Sequence, residues 1–259
     1  MGYSTRSYAG GYLSAQGLPP AIKWLLISNT AIYLAQFFLG LVGVDLGLRY
    51  FMLRPYDVVH SFMVWQLVTY MFLHGGLFHI LFNMLALWMF GVELEGTLGT
   101  RRFVEFYFFC GVGAGVCVVL GNYLFGNPGS YTLGSSGAIY GILMAWAVLW
   151  PDRIVSFFGL FPMKVKVMVF IYAAIAFLGV FSRANEVSDV AHLSGLGFGW
   201  IFLKVKRPGA RGRGPGLWGG LAGTARDQYR AWKLARAKRK FQVYLKKNGR
   251  GQGPGAWRQ

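Results

Sequence analysis

Charge is scarce in this chain, and negative charge is scarcest: Asp and Glu together number 9 in 259 residues. Only 14% of residues are charged, against about 25% in an ordinary soluble domain, and that deficit argues against a soluble protein. Cysteine is nearly absent. Cys110 and Cys117 lie in one apolar run, seven residues apart and on roughly one helix face, which excludes a disulfide framework or a CxxC metal site. Two free, packed thiols are expected. With four histidines and no carboxylate cluster beside His192, no metal and no other cofactor is expected. The start, Met1 to Pro20, lacks the apolar core of a cleavable signal peptide, so the first membrane helix is expected to act as an uncleaved signal anchor.

What fills the chain is apolar. Hydrophobic residues make up 55% and aromatics 17%, and the mean hydropathy is +0.43. A multispanning all-α membrane protein follows, with spans expected at about Trp24–Val44, Val68–Val92, Phe103–Leu120, Ser136–Trp150, Lys166–Phe181 and Val190–Leu203. Between the first two, Asp45 to Met63 is too polar to span and too apolar for a free loop, and reads as a loop dipped into the interface. The fourth span is short: Pro151 stops it after a length of about 22 Å, below the roughly 30 Å hydrocarbon thickness. It therefore begins partway into the membrane, and the irregular Gly126-Asn127-Pro128-Gly129 stretch before it needs shielding by protein or a wet cavity. The domain reading is a segment 1–20, a six-helix domain 21–205, and a basic tail 206–259.

The net charge of +17 belongs mostly to that tail. Sixteen of the 26 Lys and Arg fall from Lys204 onward, with Asp227 the one acid among them. By the positive-inside rule the tail is cytoplasmic. Six spans then put both termini there, and Arg101, Arg102, Arg153, Lys164 and Lys166 fall in cytoplasmic loops. Ala225 to Lys247 carries nine Lys or Arg, with Leu234, Ala237, Phe241 and Leu245 at helical spacing. This reads as a basic amphipathic helix that contacts anionic lipid or fixes topology. Nothing in it resembles a nucleic-acid recognition motif, and no nucleic-acid partner is expected.

Polar side chains are expensive in a bilayer and tend to be kept for a purpose. Gly134-Ser135-Ser136-Gly137 opens the fourth span, and His192 sits in the sixth. A hydroxyl and an imidazole that meet are the minimum for nucleophilic catalysis. Gly137 and Gly141 on one helix, and Gly195 and Gly199 following His192 on another, are two small-xxx-small faces that would bring the pair together. The same glycines would also serve plain helix packing. Ser135 is the weaker nucleophile candidate, and Ser194 follows His192 too closely. An α/β-hydrolase elbow is excluded by Ala138, where it needs glycine, and by the missing strand. Oxyanion donors are available in His79 and Asn83, one turn apart on one face of the second span. Tyr140, one turn after Ser136, could pack on the imidazole of His192. Asp189 lies too near His192 in sequence to be assigned as its orienter.

These residues resemble the rhomboid intramembrane serine proteases, from about Trp24 to Leu203. The motifs are Trp65-Gln66, then His74, His79 and Asn83, then the Gly134–Gly137 quartet, then Ala191-His192 with Gly195 and Gly199. The family's common Trp-Arg pair is Trp-Gln here. The resemblance implies a six-transmembrane-helix rhomboid bundle with a short central fourth helix and an active site open to the non-cytoplasmic side. It implies Ser136 as nucleophile and His192 as general base. His79, Asn83 and the Ser136 N–H would form the oxyanion hole, with Tyr140 orienting His192. Glu95 matches a structural polar position in the loop after the second span. The implied substrates are single-span membrane proteins, cut in or near the membrane, with small side chains before the scissile bond. The implied setting is the bacterial inner membrane. Two other readings stand beside this one: a non-catalytic relative that binds membrane clients, which would lack the serine or the histidine, and a small transporter, which would need intramembrane carboxylates. Oligomeric state is not legible.

Overall fold

A computed structural model describes residues 17–41, 43, 48–157, 161–180 and 186–205. All of them fall in a unit running from Met1 to Gly209. The tail, with the amphipathic helix expected at 225–247, and the first sixteen residues lie outside the described residues.

Six helices of fourteen residues or more carry the fold: α1 (Pro20–Leu41), α4 (Leu77–Leu98), α5 (Thr100–Leu124), α6 (Ser136–Leu149), α7 (Val165–Val180) and α8 (Glu186–Val205). Short helices α2 (Pro55–His60) and α3 (Gln66–Thr69) lie between α1 and α4. By length and composition α1, α4 and α5 can each cross a membrane, while α6 and α7 are shorter apolar helices. Much of the apolar surface points outward. On α1, Trp24, Ile27, Leu34, Phe37, Phe38 and Leu41 are all exposed, an array that water would penalise and lipid accepts.

Glycine and proline set the breaks. Pro55 opens α2. The second span expected from Val68 instead starts at Leu77, because Gly75-Gly76 interrupts it and leaves residues 66–72 as α3 and a 3₁₀ turn. This shift places His79 in the first turn of α4. At the other end α4 runs on to Leu98, so Glu95 lies in its last turn and not in the following loop. Gly99, at φ 79°, separates α4 from α5.

One short hairpin, which the sequence reading did not include, sits in the otherwise helical fold. After α6, the residues Ile154–Phe157 (β1) and Phe161–Lys164 (β2) pair antiparallel, Val155 opposite Met163. At the hairpin base Asp152 accepts from Lys166 at 2.8 Å and meets Lys164 at 3.5 Å. The Lys166 hydrogen bond and charge hold that carboxyl below its usual range. Arg153 pairs with Glu93 on α4 and covers the Trp146 and Trp150 rings.

Helix α6 sits at the centre, its face buried through Gly137, Ala138, Ile142, Ala145 and Trp146. Side-chain volume has been removed where α8 and α5 approach it. A Cβ on Gly199 of α8 would lie 2.6 Å from the Gly141 carbonyl, and one on Gly195 would overlap the Gly137 carbonyl. On the opposite side Gly137 and Gly141 face Ala114 and Cys110 of α5, where a Cβ would meet atoms at 2.7 and 2.6 Å. The glycines of α6 thus serve α5 as well as α8, more than the two-helix contact expected of them. Close backbone approach of this kind is how helices pack where burial from water offers little drive.

Candidate active site

The chain enters α6 through an irregular segment tied down by backbone hydrogen bonds to the loop before α4. Leu53 and Thr132 exchange both hydrogen bonds of a β-bridge, at 3.0 and 2.8 Å, and the Tyr56 N–H donates to Pro128 O. Gly134 N–H donates to Tyr70 O at 2.9 Å, and the Tyr70 hydroxyl donates to Gly111 O at 2.7 Å. The loop from the first helix to α4 therefore fixes the segment just before Ser136. Gln66, fully buried, holds that loop to itself: its Oε1 accepts the Arg54 N–H at 2.9 Å and its Nε2 donates to Tyr50 O at 3.3 Å.

Ser136 is the first residue of α6. N–H groups in the first turn of a helix have no intrahelical acceptor, and the dipole favours negative charge there. The Ser136 Oγ lies 3.0 Å from His192 Nε2, inside the range for a nucleophile and its base. Ser135 is fully buried against Tyr107 and does not share this position. Tyr140 lies flat on the imidazole of His192, centroids 4.2 Å apart and planes 6° from parallel. At the back of the ring, Asp189 Oδ1 is 3.6 Å from His192 Nδ1.

Ser136, Tyr140, His192, His79 and Asn83 line one cavity of about 330 Å³, with Tyr70, Phe78, Phe82, Thr132, Leu133, Gly134 and Ala191. The Asn83 Nδ2 is buried and has no hydrogen-bond partner among the described residues, so a donor stands ready at the cavity wall. His79 accepts a long contact from the Gly75 N–H on its Nδ1, 3.5 Å, and presents Nε2 toward Gly134. His74 does not line the cavity. It is buried behind His79, ring centroids 5.1 Å apart, and its backbone N–H meets Gln36 Oε1 at 3.3 Å.

The structure thus brings together every side chain read from sequence for the site, with Gly134 in the cavity wall and Gly137, Gly195 and Gly199 in the helix contacts behind it. Three features were missed. Tyr70 and the Leu53–Thr132 bridge depend on long-range pairing that leaves no local pattern. Asp189 was set aside for its nearness to His192, yet three residues along a helix is nearly one turn and puts both side chains on one face. The two cysteines are free, as expected, with Cys110 buried.

Exposed apolar helices around a small cavity that holds a hydroxyl, two imidazoles and an unpaired amide define an integral membrane protein with a polar site among its helices. The chain belongs to the rhomboid family: the family described as Rhomboid domain matches residues 61–208. Among curated relatives, RHOMBOID-like protein 1 of Arabidopsis thaliana is 31% identical over 153 residues, 58% of this chain and 37% of that one. Putative rhomboid protease YdcA of Bacillus subtilis is 31% identical over 192 residues, 72% of this chain and 85% of that one. Rhomboid protease GlpG of Yersinia pestis is 28% identical over 184 residues, 68% of this chain and 60% of that one. The chain thus spans well under two thirds of the plant protein and somewhat under two thirds of the Yersinia one.

Proposed function

We propose that this protein is an intramembrane serine endopeptidase that cleaves single-span membrane proteins in or near their membrane segment. The observation that carries the reading is the 3.0 Å contact of Ser136 Oγ with His192 Nε2 in a cavity that His79 and Asn83 share. Support also comes from relatives that bear the name rhomboid protease.

The chemistry follows from the geometry. Ser136 Oγ attacks the scissile carbonyl carbon as His192 Nε2 takes the hydroxyl proton. The carbonyl oxygen becomes an oxyanion, held by Asn83 Nδ2, a ring N–H of His79 and the first-turn N–H of Ser136. Such donors act strongly in a site of low dielectric constant. His192 then gives its proton to the departing amine, the C–N bond breaks, and an acyl ester remains on Ser136. Water, deprotonated by His192, attacks the ester, the acyl C–O bond breaks, the carboxyl product leaves and His192 returns the proton to Ser136 Oγ. A stable substrate helix hides its carbonyls in its own hydrogen bonds, so residues that weaken a helix should favour cleavage.

In this reading the six long helices are six spans, with α8 completing the set despite its polar first turns. Both termini are cytoplasmic, the host membrane is a bacterial inner membrane, and the tail touches anionic lipid. The test is cleavage of a single-span reporter by purified protein in detergent or liposomes. Ser136→Ala and His192→Ala should each abolish cleavage while the helical signal and melting profile are kept. A fluorophosphonate probe should label the wild type and not Ser136→Ala; equal labelling of both would sink the assignment.

A further inference from the structure

We infer that Asp189 is a positioning residue for His192, a carboxylate that orients the imidazole from its Nδ1 side. The inference rests on the peptidase reading above. Two independent features of the fold carry it. Asp189 Oδ1 stands 3.6 Å from His192 Nδ1, on the same face of α8, while Nε2 of the same ring faces Ser136 at 3.0 Å. The ring is therefore addressed by an oxygen at each nitrogen. At 3.6 Å the Nδ1 contact is longer than a formed hydrogen bond. Catalytic contacts of this sort commonly tighten only when substrate is bound.

The second feature is on α7. A Cβ at Gly179 would lie 2.5 Å from Asp189 Cγ and 2.9 Å from its Oδ1, and would overlap Oδ2. The neighbouring helix gives up its side chain where the carboxylate sits. Both Asp189 and His192 are mostly shielded, with side-chain exposures of 14% and 20%. The groups facing the imidazole are then Ser136 and Tyr140 from α6, His79 across the cavity on α4, and Asp189 on α8 itself. Among these only Asp189 is an anion. With Nδ1–H donated to the carboxylate, Nε2 is left as the lone-pair nitrogen that deprotonation of Ser136 requires. As imidazolium forms in the transition state, the nearby negative charge stabilises it.

The test is steady-state cleavage of a single-span reporter in liposomes by wild type, Asp189→Ala, Asp189→Asn, Gly179→Ala and the Gly179→Ala/Asp189→Ala pair. Loss of the carboxylate in Asp189→Ala should lower kcat by about tenfold or more, short of the roughly 10⁴-fold lost where a triad carboxylate is already bonded to its histidine, with KM little changed. Asp189→Asn keeps an acceptor without the charge and should fall between. Gly179→Ala should lower kcat in the wild-type background by pushing the carboxylate aside, and have no further effect in the Asp189→Ala background, where nothing is left to displace. That non-additivity is a signature that mere loss of packing would not give. Wild-type kcat in Asp189→Ala, or equal losses from Gly179→Ala in both backgrounds, overturns the role of Asp189 and leaves the peptidase reading standing. Wild type that neither cleaves nor reacts with the fluorophosphonate overturns both together.

Discussion

Gly134 stands so close to His79 that a Cβ on it would lie 2.6 Å from the imidazole Nε2. Its φ of +117° is also outside the range that L side chains normally adopt. The glycine thus does two things at once: it lets the chain turn into α6 at Ser136, and it leaves room for a ring N–H beside the cavity. Gly134→Ala is expected to lower cleavage by about a hundredfold or more, comparable with loss of an oxyanion donor. The melting temperature should fall only modestly, since the strain is local. Retained cleavage in Gly134→Ala would show that His79 and the turn have slack to adjust, and would remove the requirement for glycine at this position.

Asn83 offers a cleaner test of the same corner, because its Nδ2 is buried with no partner among the described residues. A donor that makes no bond in the resting protein gains one only when charge develops on the substrate. Asn83→Ala should therefore reduce kcat by about 10²-fold with KM nearly unchanged. It should not destabilise the fold, since a buried unsatisfied amide is being removed. A rise in KM at constant kcat would instead assign Asn83 to ground-state binding.

Helical periodicity explains why the centre of this site was readable and its surroundings were not. Ser136 and His192 could be paired because Gly137, Gly141, Gly195 and Gly199 repeat every four residues, and that spacing is a statement about backbone approach. His79 and Asn83 shared a face for the same reason. The start of α4 was misplaced because hydropathy continues smoothly through Leu67 to Phe82, and only Gly75-Gly76 marks the break. The β1–β2 hairpin was hidden for another reason: the stretch between Pro151 and Lys166 reads in sequence only as a cytoplasmic loop carrying Arg153 and Lys164, and antiparallel pairing leaves no helical spacing to find. Contacts such as Leu53 with Thr132 are backbone pairings between distant segments, which no side-chain pattern announces.

Tyr140 meets His192 through the face of its ring. Offset or parallel stacking is worth about 0.5–1.5 kcal/mol, enough to narrow the rotamers of a histidine with one side toward the cavity. Tyr140→Phe should keep most of the activity, whereas Tyr140→Ala should lose about tenfold in kcat. Equal losses in the two variants would move the role from the ring to the hydroxyl, and a phenylalanine that fails as badly as alanine would end the stacking account.

Glu95 concerns stability and lies far from the catalytic pair in sequence. Its carboxylate accepts the backbone N–H groups of Ala21 and Ile22, at 3.0 and 2.9 Å, and the Thr100 hydroxyl at 2.7 Å. A buried carboxylate at the N-terminus of α1 thus ties together the start of α1, the end of α4 and the start of α5. Each such charge-assisted bond contributes about 1.5–3 kcal/mol, and loss of the acceptor would leave two buried donors stranded. Glu95→Ala is expected to destabilise the fold by about 3 kcal/mol or more, seen as a drop of about 6–12 °C in thermal unfolding of the detergent-solubilised protein. Glu95→Gln keeps an acceptor without the charge and should lose roughly half as much. Cleavage below the transition should persist in both variants, because neither the cavity nor its lining includes Glu95. An unchanged melting temperature in Glu95→Ala would mean that α1 is held by its lipid-facing and α4 contacts alone, and that the three hydrogen bonds contribute nothing net.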